Sequence, residues 1–209
     1  MGKAAPRVLA RGPLVYLRRP VASDVPALLA LNRASARLYR GLASSMTTAR
    51  ACAAYIERST RPDYVGMLIC RRADGQIVGS VNISQIVRGT FQSAYMGYQM
   101  FVPHAGRGYM TAAMPLVLRV VFRHLRLHRV EANTQPRNAP SIAVVTRAGF
   151  VKEGYSERYL KIAGRWRDHE RWAMTIERWT MLQRAARASA TTAARQRKAA
   201  RVRTHQDRR

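Results

Sequence analysis

The sequence predicts a single mixed α/β domain in which helices flank one sheet. Its 209 residues suit one domain of about 150–200 residues, and a hydrophobic fraction of 47% is enough for a sizeable core. Apolar, β-branched runs alternate with segments whose apolar residues recur at helical spacing. Strands followed by a helix, a strand, a second helix and a final pair of strands are typical of a mixed sheet.

The first part of the chain contains one strand pattern and two helix patterns. Val15–Arg19 is an apolar strand candidate, and Ser23-Asp24 can begin a helix. The apolar residues of that helix recur at helical spacing and are Val25, Leu28, Leu29 and Leu31. Thr47 or Thr48 is a suitable N-cap for a second helix, which we predict to end at Arg58.

The centre of the chain predicts a hairpin and then a fourth strand. Tyr64–Arg71 and Gln76–Ile86 are rich in apolar and β-branched residues, and Asp74-Gly75 lies between them. An Asp-Gly step between two such runs is a hairpin signal. Ala94–Val102 predicts the strand that follows.

The rest of the domain predicts two helices and three strands. Gly108–Leu125 carries an apolar stripe at helical spacing, with Pro115 inside it, and a proline there should kink the helix. The remaining predicted elements are a strand, a helix and a final hairpin, at Arg129–Thr134, Asn138–Ala148, Tyr155–Ile162 and Trp166–Ile176.

Positive charge is spread over three stretches of the chain. Lys and Arg number 37 against 11 acids, a net charge of +26. We predict a basic arm at residues 1–13, a globular domain at residues 14–179 and an Ala/Arg-rich tail at residues 180–209, flexible or helical. The tail has nine basic residues and one acid, yet the domain is basic too. Such charge indicates a polyanionic partner: nucleic acid, a ribosome, an anionic membrane or a phosphorylated cofactor.

Several classes of protein are disfavoured. Cys52 and Cys70 are too few for a disulfide framework, and no Cys/His cluster has zinc spacing. His124 and His128 are better explained by a helix end, where cationic groups are favoured, so we expect no metal. The first residues lack the apolar stretch of a signal peptide, and no run approaches the roughly 18 apolar residues of a membrane span. We therefore expect a cytoplasmic protein without membrane contact.

A glycine-rich segment lies between a predicted strand and a predicted helix. In Gly106-Arg107-Gly108-Tyr109 the glycines let backbone N–H groups approach a ligand, and the helix N-terminus adds partial positive charge. Together with Arg107, these features suit a pyrophosphate. A tight turn with no ligand is the alternative for this segment.

A second polar segment runs from Asn133 to Ser141 and leads into the next predicted helix. Asn138 can cap that helix, and Ser141 can be an ordinary residue of its first turn. Alternatively, both side chains face a crevice between two strands.

Four motifs occur in a fixed order along the chain. They are His128-Arg129-Val130-Glu131-Ala132, Pro136-x-Asn138-x-x-Ser141, Gly149-Phe150-x-x-Glu153-Gly154 and Gly164-x-Trp166-x-Asp168-His169. The ordered set closely resembles the GNAT acetyltransferases, and within them the RimJ/RimL branch of ribosomal-protein N-terminal acetyltransferases. The resemblance covers approximately Leu14 to Trp179.

The resemblance implies a sheet splayed at strands 4 and 5, near Gly97–Val102, with acetyl-CoA in the gap. It implies that the loop before the long helix holds the pyrophosphate, that Asn138 contacts pantetheine and that Ser141 donates a proton to the leaving thiolate. The cofactor-binding residues so implied are Phe101, Val102, Ala105, Gly106, Arg107, Gly108, Tyr109, Met110, Thr111, Asn138 and Ser141. Two positions depart from the family pattern, Ala105 and Met110. Ala105 has no side-chain donor for a phosphate, a role that Arg107 or His104 can fill, and Met110 need supply only its backbone N–H.

The general base is the least determined role. Glu131 lies on the strand beside the expected splay and is our first choice, with an ion pair to an arginine as the alternative. An α-amino group titrates near ~8, so a water-bridged base is sufficient. The other carboxylates near the site are Glu153, Glu157, Asp168 and Glu170. We predict that Tyr98 and Tyr155 pack in the core.

The resemblance implies transfer of acetyl to the N-terminal amine, with alanine as the expected residue, of a ribosomal protein. Two alternatives are a GNAT enzyme acting on a small-molecule amine and a basic GNAT-fold protein that binds RNA or the ribosome. Cationic small molecules such as aminoglycosides would prefer an acidic cleft, for which the chain has few acids. RNA or ribosome contact through the basic surface and tail is expected in the first and third cases.

Overall fold

The computed structural model describes residues 6–206, with side chains through residue 192 except residue 190. An eight-stranded sheet organises the unit that ends at Met174. Its strands are β1 Val8–Arg11, β2 Val15–Arg18, β3 Val65–Arg71, β4 Ile77–Val87, β5 Ser93–Met100, β6 Arg129–Thr134, β7 Val151–Ile162 and β8 Arg165–Thr175. The order across the sheet is β1-β2-β3-β4-β5-β6-β8-β7. The predicted mixed, mostly antiparallel sheet is confirmed, because β5–β6 is parallel while the pairs β1–β2, β2–β3, β3–β4, β4–β5 and β7–β8 are antiparallel.

The first strand was not predicted. Val8–Arg11 pairs with β2, so this part of the expected arm at residues 1–13 belongs to the sheet, while residues 1–5 lie outside the described residues. The strand has four residues between Arg7 and Gly12-Pro13, and only Ala10 is buried in it. Four residues are too few to show the alternation of apolar and polar residues that predicts a strand, and the neighbouring residues are basic or turn-forming. The sheet therefore has one more strand than predicted, and its fourth and fifth predicted strands are β5 and β6.

Four helices belong to this unit: α1 Val25–Ser35, α2 Ala49–Arg58, α3 Tyr109–Arg119 and α4 Ala139–Ala148. Thr48 caps α2 by accepting a hydrogen bond from the Ala51 N–H, as its side chain predicts. Helix α3 continues through Pro115 and is followed by a π-helical turn at Val120–His124. Pro115 and Thr111 are both exposed, so water can satisfy the Thr111 carbonyl that loses its helical partner.

Both predicted hairpins are present. The turn between β3 and β4 places Gly75 at a φ of +74°, which the absence of a Cβ permits. Strand β7 begins at Val151, four residues before the predicted start at Tyr155. A register shift between Lys152 and Gly154 takes these polar residues into the strand instead of a turn.

Apolar side chains pack on the sheet from the helices. A cluster of buried residues joins α1 and α2 to β3 and β4 and contains Leu28, Cys52, Tyr55, Tyr64, Leu68, Cys70, Ile77 and Phe101. Helix α3 packs against β1, β2 and β4. Both cysteines are free and lie buried in this cluster.

The sheet opens between β5 and β6. Only three residue pairs link these strands, at Ser93–Arg129, Ala94–Val130 and Tyr95–Glu131. Strand β5 continues to Met100 and β6 to Thr134 beyond the last pair. The two strands therefore separate at the place where the splay was predicted.

The second unit, from Thr175 onward, contains helix α5, Ile176–Gln206. It begins four residues before the predicted tail boundary at residue 180. The tail was expected to be flexible or helical, and its backbone is helical through Gln206. No helix among residues 6–206 has the length and apolar character needed to cross a membrane.

Candidate active site

Two cavities meet where β5 and β6 separate. The first, the loop cavity, has a volume of about 580 Å³ and lies between the end of β5, residues 104–111 and the first turns of α4. The second, the strand cavity, has a volume of about 280 Å³ and is bounded by β4, β5, β6, β8 and the segment after α1. Six residues line both cavities: Tyr39, Leu42, Tyr98, Gln99, Asn138 and Ser141.

The glycine segment forms one wall of the loop cavity. Gly106 and Gly108 have φ values of +76° and +77°, a conformation that strongly favours glycine. Helix α3 begins at Tyr109, and its first backbone hydrogen bond runs from the Ala112 N–H to the Gly108 carbonyl. The N–H groups that precede that bond have no partner within the helix and lie at its positive end. An anionic group is the natural ligand of such a wall.

The structure brings most of the predicted cofactor-binding residues to this cavity. Those on its wall are Ala105, Gly106, Arg107, Gly108, Tyr109, Met110, Thr111, Asn138 and Ser141. Phe101 and Val102 are not among its lining residues. Phe101 is fully buried in the core, and the Val102 N–H donates to Ser35 Oγ at 3.0 Å. The residues at the end of β5 that line the cavity are instead Tyr98, Gln99 and Met100.

His104 lies on the same wall as Ala105. Its ring is buried and packs edge-to-face on Tyr109, with ring centroids 6.2 Å apart, and Nδ1 has no hydrogen-bond partner among the described residues. Burial lowers the pKa of His104, and the positive charges of Arg71 and Arg107 lower it further. His104 therefore presents a neutral ring, and Arg107 supplies the formal charge at this loop.

The segment after α1 is tied to the ends of β5 and β6. The Tyr39 hydroxyl donates to the Met100 carbonyl at 2.7 Å and accepts from the Met100 N–H at 2.8 Å. The Gln135 amide donates to the Gly41 and Leu42 carbonyls at 2.9 and 3.3 Å. These contacts hold Tyr39 and Leu42 over the opening between the strands, where each of the two residues lines the loop cavity and the strand cavity.

Tyr98 and Ser141 lie at the junction. Their hydroxyl oxygens are 2.8 Å apart, and Thr134 Oγ1 is 3.3 Å from Ser141 Oγ. Burial raises the pKa of Tyr98 to about 12, so its hydroxyl is a neutral donor. If Tyr98 donates to Ser141 Oγ, the Ser141 proton is free to point into the cavities. Tyr98, which we predicted to pack in the core, is partly buried and also lines both cavities.

Asn138 performs both roles weighed from the sequence. Its side-chain oxygen caps α4 by accepting from the Ser141 N–H at 3.3 Å, and the residue also lines both cavities. The cap fixes the first turn of α4, which positions Ser141 against Tyr98.

No Asp or Glu among the described residues lines either cavity. Glu131 accepts from Arg129 at 2.9 Å, and Arg129 also pairs with Glu153. Glu170 pairs with Lys152 at 2.5 Å. Asp168 accepts from the Arg158 N–H and the Tyr155 hydroxyl, both at 2.8 Å, and these hydrogen bonds lower its pKa. Tyr155 is half-exposed there and not in the core.

Sequence reasoning assigned no role to His169, although the residue belongs to one of the four motifs. The structure places it on β8, almost fully buried, in the wall of the strand cavity. Burial lowers its pKa, although the Arg167 carbonyl and the charge of Asp168 oppose that shift. The signals in the sequence are its place in that motif and a histidine inside a strand pattern, next to an acid.

The model of the acetyltransferase (GNAT) domain family matches residues 15–151 of the chain. The chain belongs to the GNAT acetyltransferase family. The splayed sheet and the glycine loop at the start of α3 are features that the sequence resemblance implied.

Individual relatives in this family agree with that membership. The probable N-acetyltransferase YjcK of Bacillus subtilis (strain 168) is 40% identical over 116 residues, which cover 56% of this chain and 64% of YjcK. The [ribosomal protein uS5]-alanine N-acetyltransferase of Escherichia coli (strain K12) is 41% identical over 105 residues, which cover 50% of this chain and 54% of that enzyme. The chain thus matches less than two thirds of the length of either relative.

A solved structure extends the likeness over most of the chain. Mycobacterium smegmatis RimJ in complex with CoA-disulfide superposes with a TM-score of 0.72 at 30% identity, covering 82% of this chain and 86% of that one. The loop cavity fits the nucleotide end of coenzyme A on this chain's own features, namely two left-handed glycines, the start of α3 and Arg107.

Proposed function

We propose that the chain transfers acetyl from acetyl-CoA to the N-terminal amine of a ribosomal protein, with alanine as the terminal residue. The observation that carries this proposal is the meeting of two cavities at Tyr98 and Ser141. One cavity suits the coenzyme, and the other suits an amine that enters from the opposite side. The name of the E. coli relative supports the choice of acceptor, and the RimJ structure, which contains CoA-disulfide, supports the coenzyme.

Acetyl-CoA, when bound, supplies an activated acetyl group on sulfur. In this proposal the N–H groups at the start of α3 and Arg107 bind the pyrophosphate, and Asn138 contacts the pantetheine chain. Ser141, supported by Tyr98, donates a hydrogen bond toward the sulfur as negative charge develops there. A prepositioned donor is most effective at such a point, because it need not reorient during the reaction.

The lining of the strand cavity favours a peptide N-terminus over a polycation. Arg58 is its one lining side chain with a permanent charge, and the described residues put no carboxylate on the wall. A polyamine or aminoglycoside would bring several positive charges into a cavity with nothing to neutralise them. A peptide brings a single amine, which reacts in its neutral form, and its backbone can pair with the polar groups Ser80, Asn82 and Gln135.

We also propose that the enzyme works in the cytoplasm, where ribosomal proteins are made, and that its positive charge favours association with the ribosome or RNA. Retained binding of RNA without any turnover would favour the alternative of a GNAT-fold binding protein.

The test is acetylation of a ribosomal-protein mixture, read by intact mass. The expected result is the mass gain of one acetyl group on one or a few proteins, located at the N-terminus by fragmentation. Ser141→Ala is the matched negative control. Spermidine is the competing acceptor, and acetylation of spermidine but of no protein would overturn the proposed acceptor.

A further inference from the structure

His169 is a buried imidazole in the wall of the strand cavity. It lies on β8, is 3% exposed and shares the cavity with Tyr98 and Ser141. Strand β8 neighbours β6, which contributes Asn133 and Thr134 to the same wall. His169 is the one histidine that lines this cavity among the described residues.

The hydrogen bonding of His169 determines which nitrogen faces the cavity as an acceptor. Nδ1 lies 2.9 Å from the Arg167 carbonyl oxygen, and a carbonyl can only accept, so Nδ1 carries the proton. Nε2 therefore has a free lone pair. Nε2 makes no hydrogen bond with the residues that the structure describes.

Several groups surround the ring. The negative charge of Asp168, on the same strand, favours protonation of the His169 ring. The Asp168 carboxylate, however, already accepts hydrogen bonds from the Tyr155 hydroxyl and the Arg158 N–H. Tyr159 of β7 contacts the ring with centroids 6.0 Å apart, and its hydroxyl is 3.3 Å from that of Tyr95. Across the cavity, Arg58 donates to the Tyr64 hydroxyl at 3.3 Å. Desolvation dominates these influences and keeps the imidazole neutral near pH 7.

The neighbouring strand provides an acceptor that lacks a donor. Asn133 lines the strand cavity, and its Oδ1, which is buried, has no hydrogen-bond partner in the described part of the chain. A buried acceptor without a partner is costly, and an N–H group entering the cavity would satisfy it. An amine bound beside Asn133 can supply that N–H if the Asn133 side chain turns toward it.

We propose that Nε2 of His169 accepts the proton that the acceptor amine loses, and that Asn133 Oδ1 receives a second N–H of the same nitrogen. The inference rests on the proposed function. The amine nitrogen forms a bond to the acetyl carbon while the bond from that carbon to sulfur breaks. One N–H proton passes to Nε2, and the sulfur leaves as a thiolate that the Ser141 hydroxyl stabilises by a hydrogen bond. The thiolate then takes a proton from solvent, and Nε2 returns its proton to solvent. The nitrogen becomes strongly acidic as its new bond forms, so a weak base such as imidazole is sufficient.

The test compares His169→Asn with His169→Gln. The Asn amide can preserve the donor to the Arg167 carbonyl while removing Nε2, so a purely structural role predicts near wild-type turnover for His169→Asn. We expect both variants to lose about 100-fold in kcat on an alanyl peptide. We also expect both variants to keep an acetyl-CoA affinity, measured by calorimetry, within about twofold of wild type. His124→Gln, at an exposed position, is the control.

A second readout does not depend on turnover. In the CoA-bound protein, the nitrogen resonances of His169 should shift when an alanyl peptide is added, and an N-terminally blocked peptide should leave them unchanged. Retention of kcat in His169→Asn, or resonances that do not respond to the free amine, would overturn the assignment. Failure of wild-type protein to acetylate any peptide would instead count against the proposed function, which separates the two.

Discussion

The hydroxyl oxygens of Tyr98 and Ser141 lie 2.8 Å apart, although one residue belongs to β5 and the other to α4. The Tyr98 hydroxyl also lies 3.1 Å from the Ser141 carbonyl oxygen, which is the other acceptor within reach of its single proton. The two elements lie on opposite sides of the opening in the sheet, so this contact spans the place where the cavities meet. Any group that reacts between the cavities must pass next to it.

Ser141→Ala should reduce turnover more than it reduces acetyl-CoA affinity. The hydroxyl matters chiefly when negative charge develops on sulfur, whereas ground-state binding depends on the loop around Gly108. We expect a loss of about 100-fold in kcat, in the range seen when a single prepositioned donor is removed. Steady-state kinetics and calorimetry on the same preparation provide the comparison. Equal losses in affinity and kcat would mean that Ser141 only positions the coenzyme.

Tyr98→Phe should reduce kcat by about tenfold, since it removes one hydrogen bond to Ser141 and preserves the ring. Because both residues serve one proton path, the Tyr98→Phe/Ser141→Ala double variant should be little worse than Ser141→Ala alone. Additive losses would show that the residues act separately. The pKa of Tyr98, about 12, also predicts no loss of activity from its ionisation up to about pH 10.

Gly108→Val should weaken acetyl-CoA binding strongly. The residue has a φ of +77°, and a β-branched side chain would strain the loop and stand where backbone must approach a phosphate. Gly89→Val is the matched control, because Gly89 has a φ of +70° in an exposed turn and lines neither cavity. Both variants should lose thermal stability to a similar degree, while calorimetry shows weaker coenzyme binding for Gly108→Val alone. Equal binding by the two variants would remove the pyrophosphate site from this loop.

Local sequence patterns predicted the elements that carry their own signals. Arg129–Thr134 matches β6 at both ends, because alternation and flanking polar turns define it. The Asn138 cap and the left-handed Gly75 follow from side-chain chemistry alone. Val8–Arg11 was missed because its strand character depends on pairing with β2.

The candidate site was harder to predict than the fold. The glycine loop and Ser141 carry motif signals, but the contact from Tyr98 to Ser141 depends on how far β5 and β6 separate. Glu131 sits on the predicted strand, yet side-chain partners decide whether a carboxylate faces a cavity or an arginine. The role of His169 could not be predicted either, because the sequence does not show that its ring is buried or that the Arg167 carbonyl fixes its tautomer.

Glu131→Gln should leave the pH dependence of turnover close to that of wild type. Glu131 is engaged by Arg129 and lines neither cavity, so its loss should lower kcat less than about tenfold, well below the effect of removing a general base. Glu153→Gln is the control, because it removes the other carboxylate of the same arginine. A flattened pH profile in Glu131→Gln, with a normal profile in Glu153→Gln, would restore Glu131 as the base.

Truncation after Trp179 should separate catalysis from attraction to nucleic acid. Residues 180–209 carry nine basic residues and one acid, whereas the two cavities are lined by residues before Thr175. Turnover on a short alanyl peptide should therefore be unchanged. If the tail contacts phosphates, each contact contributes about 0.7 to 0.9 to the steepness of log affinity against log salt concentration, so the truncated protein should bind an RNA oligonucleotide more weakly and with a shallower slope. Replacement of Arg184 and Arg187 by Gln in the full chain should reduce the slope by a smaller amount. The same RNA affinity and slope after truncation would mean that the basic surface of residues 14–179 makes the contact, and the tail would then have no role in binding.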